Sequence, residues 1–513
     1  MTEHVDDRKR QVVPRWRPFQ ISATLGQLDA STNRRLAQPL EPAPGEIEGL
    51  QGDWARSQTP FHAANLVDAA LILGRSEVAE EAAEWLVEHG GISDVSVRLA
   101  QQVLSPSAVV DPGDPQELTR ENRHRRVASY RNRLRSFPRD SLLWVDLARE
   151  YAALGLNEPA LRALRVAIDL APNNRFVLRS ASRFFLHTHD PEQAHRVLAR
   201  ASSTSRDPWL LAAEIVAASA CGRQSRLIKT GARLLQSEGL HPRHLSELAS
   251  AIGTLEHQAG QRRRVRKLFA QALRDPTENA VAQALWITRH MSGFELPEGL
   301  GSVPRAFEAN AWEAARNSEF PSAVQLSWQW LRDEPFATRS ALFGSYVSAT
   351  AMGDYDEAIR LVEAAMTANP EDPRLLAQLL YCQACSGMVD VAEQNLRKLE
   401  KTVKGTESQR SDTEWEVVLN ADRGLIAFRR GQIEEGRRWY GSAIELARTH
   451  QLTEYAASAL INFSREEVLV GGHVDMSELK SVVGLFPPVT RQVVARCVER
   501  IETLTAAKSL RKF

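Results

Sequence analysis

The stretch Ser141–Asn174, SLLWVDLAREYAALGLNEPALRALRVAIDLAPNN, constrains this chain more than any other. Leu143, Trp144, Leu147, Ala148, Tyr151 and Leu154 recur at three- and four-residue spacing, the stripe of an amphipathic helix. Gly155 ends the stripe, because glycine takes a left-handed C-cap without strain. Pro159 falls in the first turn of a following helix, where its missing N–H costs nothing. Ala160, Leu161, Leu164, Ala167, Ile168 and Leu170 form the second stripe, and Pro172 stops it. Neither helix can bury its face alone, so the unit requires stacked copies of itself.

The copies are present. One 34-residue period on, Ala194 follows Ala160, Leu198 follows Leu164, and Phe185 stands where Tyr151 stood. Gly353-Asp354-Tyr355-Asp356-Glu357-Ala358-Ile359 repeats the turn and second-helix start, with Val362, Ala365 and Pro370 on schedule. Gly387, Ala392, Leu396 and Leu399 mark the next copy, and Gly424, Gly431, Tyr440 and Ala443 another. Weaker copies carry Phe307, Ala323 and Pro335, and, early in the chain, Gly74, Ala79, Ala83 and Leu86. Between His241 and Asn279 the rhythm is faint. Roughly nine to eleven helix pairs cover about four-fifths of the chain.

Trp144, Leu147, Ala148, Tyr151, Gly155, Ala160, Leu164, Ala167 and Pro172 together resemble the tetratricopeptide repeat. The resemblance implies an all-α fold. It would be an α-solenoid, a right-handed superhelix of stacked antiparallel helix pairs, with the first helix of each pair lining a concave groove. Groove positions are then Leu142, Val145, Arg149, Phe176, Arg179, Arg183, His187 and Trp312. The implied role is a non-catalytic scaffold or adaptor that holds partner proteins or peptides there. An acidic partner would suit Arg149, Arg179 and Arg183. Some relatives clamp a C-terminal carboxylate with Lys and Asn; Val145 and Arg149 stand at those positions, so that clamp is not carried over.

The expected organisation is a largely irregular, proline-containing tail over 1–58 and an N-terminal array over 59–293. A hinge over 294–304, FELPEGLGSVP, leads to a C-terminal array over 305–470 and capping helices over 471–513. Pro14, Pro18, Pro39, Pro42 and Pro44 break the tail. Within it, Arg15-Trp16-Arg17-Pro18-Phe19 reads as a linear motif that docks on a partner or back on the solenoid. The plainer reading, favoured here, is a tail whose aromatics cover the first repeat. Ser105–Pro115 marks a loop, and Thr402–Asp412 a polar insert.

Arg120, Arg123, Arg125, Arg126, Arg131, Arg133, Arg135 and Arg139 make 120–139 the most basic segment, and Arg262, Arg263, Arg264 and Arg266 form a second run. They support an alternative function, a nucleic-acid-binding regulator. Region 141–220 also resembles bacterial tetratricopeptide proteins associated with nuclease-type partner domains. Solvated helix faces are the favoured reading of both runs, because the 513-residue chain has a formal net charge of zero. Nucleic acid is therefore the less favoured partner.

The remaining candidates for chemistry are weak. His187, His189, Asp190 and His195 combine zinc-type ligands, but His187–Asp190 is a turn between repeat helices. Cys382 and Cys385 have redox spacing, yet they lie inside a helix and no second pair completes a four-ligand site. No phosphate loop, nucleophile elbow or metalloprotease motif occurs. No cofactor, metal or enzymatic activity is expected. Four scattered cysteines, no apolar signal segment and no helix long enough to span a bilayer lead to the expectation of a cytoplasmic protein with no membrane insertion. The Arg- and Ala-rich composition suggests a bacterial one.

Overall fold

The structure, a computed structural model, describes residues 10–18, 46–73, 75–90, 94–104, 119–237, 240–291, 293–297, 299–405 and 412–510. The prolines at 39–44, Phe19, the loop at 105–118 and residues 406–411 of the polar insert lie outside them. Among the described residues every regular element is helical and there are no strands. None of these helices is long and apolar enough to cross a membrane.

Helices α1 (Glu46–Arg56), α2 (Pro60–Leu73), α3 (Glu80–His89) and α4 (Asp94–Leu104) share one core around Ile47, Trp54, Leu66, Ala83, Leu86 and Val103. Helix α1 falls inside the stretch that its prolines predicted largely irregular; Pro44 precedes it, and Ile47 and Trp54 bury one side of it.

A basic helix, α5 (Arg120–Ser136), then leads into the stack. Pairs follow as α6 (Ser141–Ala153) and α7 (Asn157–Leu170), α8 (Arg175–His187) and α9 (Pro191–Arg200), α10 (Pro208–Ala220) and α11 (Ile228–Leu235), and α12 (Pro242–Gln258) and α13 (Arg262–Ala272). After α14 (Glu278–His290) come α15 (Phe307–Arg316) and α16 (Phe320–Asp333), α17 (Thr338–Val347) and α18 (Tyr355–Met366), and α19 (Pro373–Ser386) and α20 (Val389–Gly405). The order ends with α21 (Asp412–Arg429), α22 (Ile433–Thr449), α23 (Thr453–Val470), α24 (Met476–Val482) and α25 (Pro488–Leu510).

Local chemistry sets the pairs. The Asp140 carboxylate accepts from the N–H groups of Leu142 and Leu143, both at 3.0 Å, and so caps α6. Asn174 and Asp190 cap α8 and α9 in the same way. Ala148, Ala160 and Ala167 are fully buried, and their small side chains let neighbouring helices approach. His189, at the position where the repeat usually has glycine, takes a left-handed φ of 58°.

The stack curls far enough for its second half to meet its first. Phe336 and Ala368 belong to the same core as Val145, Ala160, Phe184 and Ala217. A Cβ at Gly155 (φ +73°) would stand 2.9 Å from the carbonyl oxygen of Thr367, so the turn after α6 seats directly on the end of α18. At the other end α25 folds back rather than only ending the stack. It packs on α15, α23 and the π-helical turn Ser348–Met352, and Arg500 donates to the Thr350 carbonyl at 3.2 Å. Val493, Val494, Val498 and Ile501 are buried by this packing, whereas Leu504 stays exposed.

Gly155→Ala should cost about 3 kcal/mol, because it adds a clash to a strained φ, while Gly431→Ala (φ +78°, open space around it) should cost only about 1 kcal/mol. Urea titrations of the two variants check this; equal losses would mean that the Gly155 contact does not hold the curl.

Candidate functional site

Residues 10–18 run between helices of the first and second halves of the stack, without helix or strand of their own. Pro14 and Pro18 keep this arm from becoming helical. Arg10, Val12, Pro14 and Trp16 are buried, and the residues between them are half-buried. An extended backbone with no ladder must find partners for its carbonyls elsewhere. The groove supplies them. Gln283 donates to the Arg10 carbonyl at 2.9 Å, Asn279 to that of Val13 at 2.8 Å, and Arg149 to that of Trp16 at 2.9 Å.

Side chains fix the register. The Arg10 guanidinium grips Glu308 through two nitrogens at 3.1 and 2.9 Å, and also donates to Gln283 at 2.5 Å and Asn279 at 3.2 Å. Arg15 donates to Glu308 at 2.6 Å and pairs with Glu334. Arg17 holds both oxygens of Asp333, Nε to Oδ1 at 2.7 Å and Nη2 to Oδ2 at 2.5 Å, and reaches Glu278 at 2.7 Å. Such fork-to-fork pairs add geometric specificity to charge. Trp16, 1% exposed, packs edge-on to Phe184 and 5.3 Å from the Phe336 ring. The arm therefore bridges α6, α8, α14, α15 and the end of α16.

Burial alone would raise the carboxyl pKa values of this site, but the cations outweigh it. Arg10, Arg339 and Arg15 hold Glu308 well below its usual range. Arg17 and Arg15 also lower the Glu278 pKa, and Arg17 lowers that of Asp333. Glu278 and Glu308 also sit in first helical turns, where exposed N–H dipoles favour negative charge.

The structure places the sequence candidates as follows. Arg149 is buried; besides the Trp16 carbonyl it contacts the Asp333 carbonyl at 3.2 Å and Glu150 at 3.2 Å. Arg179 pairs with Glu247 at 2.9 Å and stacks over Trp209 at 4.6 Å. Arg183 lies 3.7 Å from Glu334 and over Phe336 at 4.8 Å. His187 flanks Phe336 at 5.7 Å, and its pKa is lowered to about 3 by burial and by neighbouring Arg183 and His189. Arg149, Arg183 and His187 thus come together around the arm. Arg179 is turned to the next pair. Trp312 is 1% exposed, edge-on to Trp330, with Arg289 4.2 Å and Arg339 5.6 Å from its ring.

In the basic helix α5, Arg123 is buried on Glu150 at 3.1 Å, Arg126 lies 3.7 Å from Glu150, and Arg125 pairs with Glu121 at 2.6 Å. Arg120 and Arg131 are exposed, and Arg133 is half-buried. His195 lies 3.1 Å from Glu214, and Asp190 caps α9. Among the described residues no group of three or more His, Cys, Asp or Glu side chains is arranged to hold a metal ion. Cys382 and Cys385 are free and buried, and burial pushes the Cys382 thiol up.

Sequence reasoning missed the acidic wall, Glu278, Glu308, Asp333 and Glu334, and its neighbours Asn279, Gln283 and Phe336. The available signal was complementarity. A tail with Arg10, Arg15 and Arg17 needs carboxylates, and Glu308 opens the helix that carries Trp312, a residue assigned to the groove.

No protein-family model matches the chain, and no curated protein matches it. Among solved structures, the crystal structure of the APC/C hetero-tetramer Cut9–Hcn1 aligns over 93% of this chain and 95% of the other. Identity is 12% and the TM-score 0.36. The yeast Tom70 crystal structure aligns over 95% and 96%, with 10% identity and a TM-score of 0.29. At these scores the likenesses carry no argument. The helical-repeat solenoid rests on the helix order and packing above.

Removing one partner of a buried ion pair costs about 3–5 kcal/mol. Trypsin should therefore cut after Arg15 slowly in the native chain and more than about tenfold faster in the Glu308→Gln/Asp333→Asn variant. Mass spectrometry of timed digests reads the sites; equal rates would detach the arm from this wall. Acid gives a second check. Because the His187 pKa falls from 6.5 to about 3 on folding, its contribution is complete above pH 6.5 and is lost as pH falls toward 3. The carboxylates act lower, losing their contribution as pH drops below their ordinary 3.8 to 4.5. Melting temperature should decline between pH 6.5 and 5, and His187→Gln should flatten that decline. An unchanged slope would remove His187 as its source.

Proposed function

We propose that the chain is a non-catalytic protein–protein interaction scaffold of the tetratricopeptide type, working through its concave groove. One observation supports this above the others: the groove already holds an extended peptide, its own residues 10–18, through backbone carbonyls, three guanidiniums and one indole. A rigid curved wall loses little entropy on binding, which suits short extended segments. The same occupancy implies that partner access is controlled by the arm. We place the protein in a bacterial cytoplasm, in keeping with four cysteines that are all free thiols.

The arginine helix α5 lends less to a nucleic-acid reading, because Arg123 and Arg126 face Glu150 and Arg125 faces Glu121. The test is partner capture from the protein's own cells, with and without nuclease, using the full chain and a disarmed variant, Arg15→Ala/Trp16→Ala/Arg17→Ala. Protein partners that survive nuclease and increase on disarming are expected. Partners that vanish with nuclease would contradict the scaffold reading and favour nucleic acid.

A further inference from the structure

The groove's chemistry narrows what a partner must offer. We propose that its ligand is an extended basic peptide of another protein, with a tryptophan between two arginines and a third arginine five residues before the first of them, and that residues 10–18 are the competitor it displaces. This rests on the scaffold reading above and names the partner's chemistry.

Charge comes first. Glu278, Glu308, Asp333 and Glu334 form one wall, and the arm's Arg10, Arg15 and Arg17 together meet all four. An acidic peptide would bring like charge to that wall, while Arg149, Arg179 and Arg183 are already engaged by Glu150, Glu247 and Glu334. The backbone contacts come second. Gln283, Asn279 and Arg149 address main-chain carbonyls, which any extended peptide presents at the same spacing.

The resident's fit is incomplete, and this is what makes it displaceable. Among the described residues the buried Trp16 indole N–H and Arg15 Nε have no acceptor, and the buried Nε2 of His187 has no partner. The first two belong to the arm and recur in any Arg-Trp-Arg ligand, whereas a ligand with a polar group that reaches His187 Nε2 holds an advantage over the arm. The kind of contact points the same way. Buried ion pairs add little net stability compared with apolar packing, but they discriminate strongly between ligands. A segment serving only to brace the superhelix would gain more from aliphatic side chains than from Arg10, Arg15 and Arg17.

The experiment titrates a fluorescein-labelled peptide, KRQVVPRWRPF, against the full wild-type chain and the disarmed Arg15→Ala/Trp16→Ala/Arg17→Ala chain. Fluorescence anisotropy reads binding. A second peptide carries Arg15→Glu and Arg17→Glu. The disarmed chain should bind the first peptide saturably. Wild type should bind it at least about tenfold more weakly, because its tethered arm competes at high effective concentration. The charge-reversed peptide should bind neither. If the disarmed chain does not melt cooperatively, Trp16→Ala, which keeps the three arginines, replaces it.

Equal binding of the charge-reversed peptide would overturn the basic chemistry and leave the scaffold reading standing. So would a folded, disarmed chain that still captures protein partners yet ignores the arm peptide; the arm would then be a brace. A wild-type dimer by native mass spectrometry that becomes monomeric on disarming would overturn the proposal in favour of arms exchanged between two copies.

Discussion

The structure depends on four carboxylates taken out of water. Glu278, Glu308, Asp333 and Glu334 lie at helix ends in the concave face, and each is buried or nearly so. A buried carboxylate without a cation is costly enough that it would take up a proton instead. Arg339 and Arg305 approach Glu308 and Asp333 at 3.2 and 4.0 Å, but the bidentate partners come from the arm. The groove and residues 10–17 therefore form one electrostatic unit whose charged partners lie 261 to 319 residues apart in sequence.

That unit sits where the superhelix meets itself. Phe336 and Ala368 join the core of α6 to α10, Gly155 seats on Thr367, and Trp16 lies between Phe184 and Phe336. Withdrawal of the arm removes an indole from between the two halves along with three guanidiniums. Its occupancy and the curvature of the stack are thus coupled: a ligand that replaces the arm must also fill the Trp16 position, or the two halves lose part of their contact.

The repeat was legible because its determinants are local. Gly155, Pro159 and Ala160 specify a turn and a close helix pair within a few residues, and Asp140 and Asn174 cap the neighbouring helices from the adjacent position. The site was not legible because its determinants are remote. Arg10 contacts Glu308 across 298 residues and Arg15 contacts Glu334 across 319. In sequence Glu278 and Glu308 look like any acid favoured by a helix dipole. The arginines Arg149 and Arg183 were read as the groove's chemistry because they lie on first helices, yet one serves to hold the Trp16 carbonyl and the other to flank Glu334. Trp16 of the tail does cover the solenoid, but between α8 and Phe336 rather than on the first repeat.

The arm's seat is the central claim. Replacing Trp16 with the photo-crosslinker p-benzoylphenylalanine in the full chain, irradiating at low concentration and mapping the products by mass spectrometry tests it directly. Crosslinks within one chain to Phe184, Phe336 and their immediate neighbours are predicted. Crosslinks to α1–α4, or none at all in a folded chain, would contradict it.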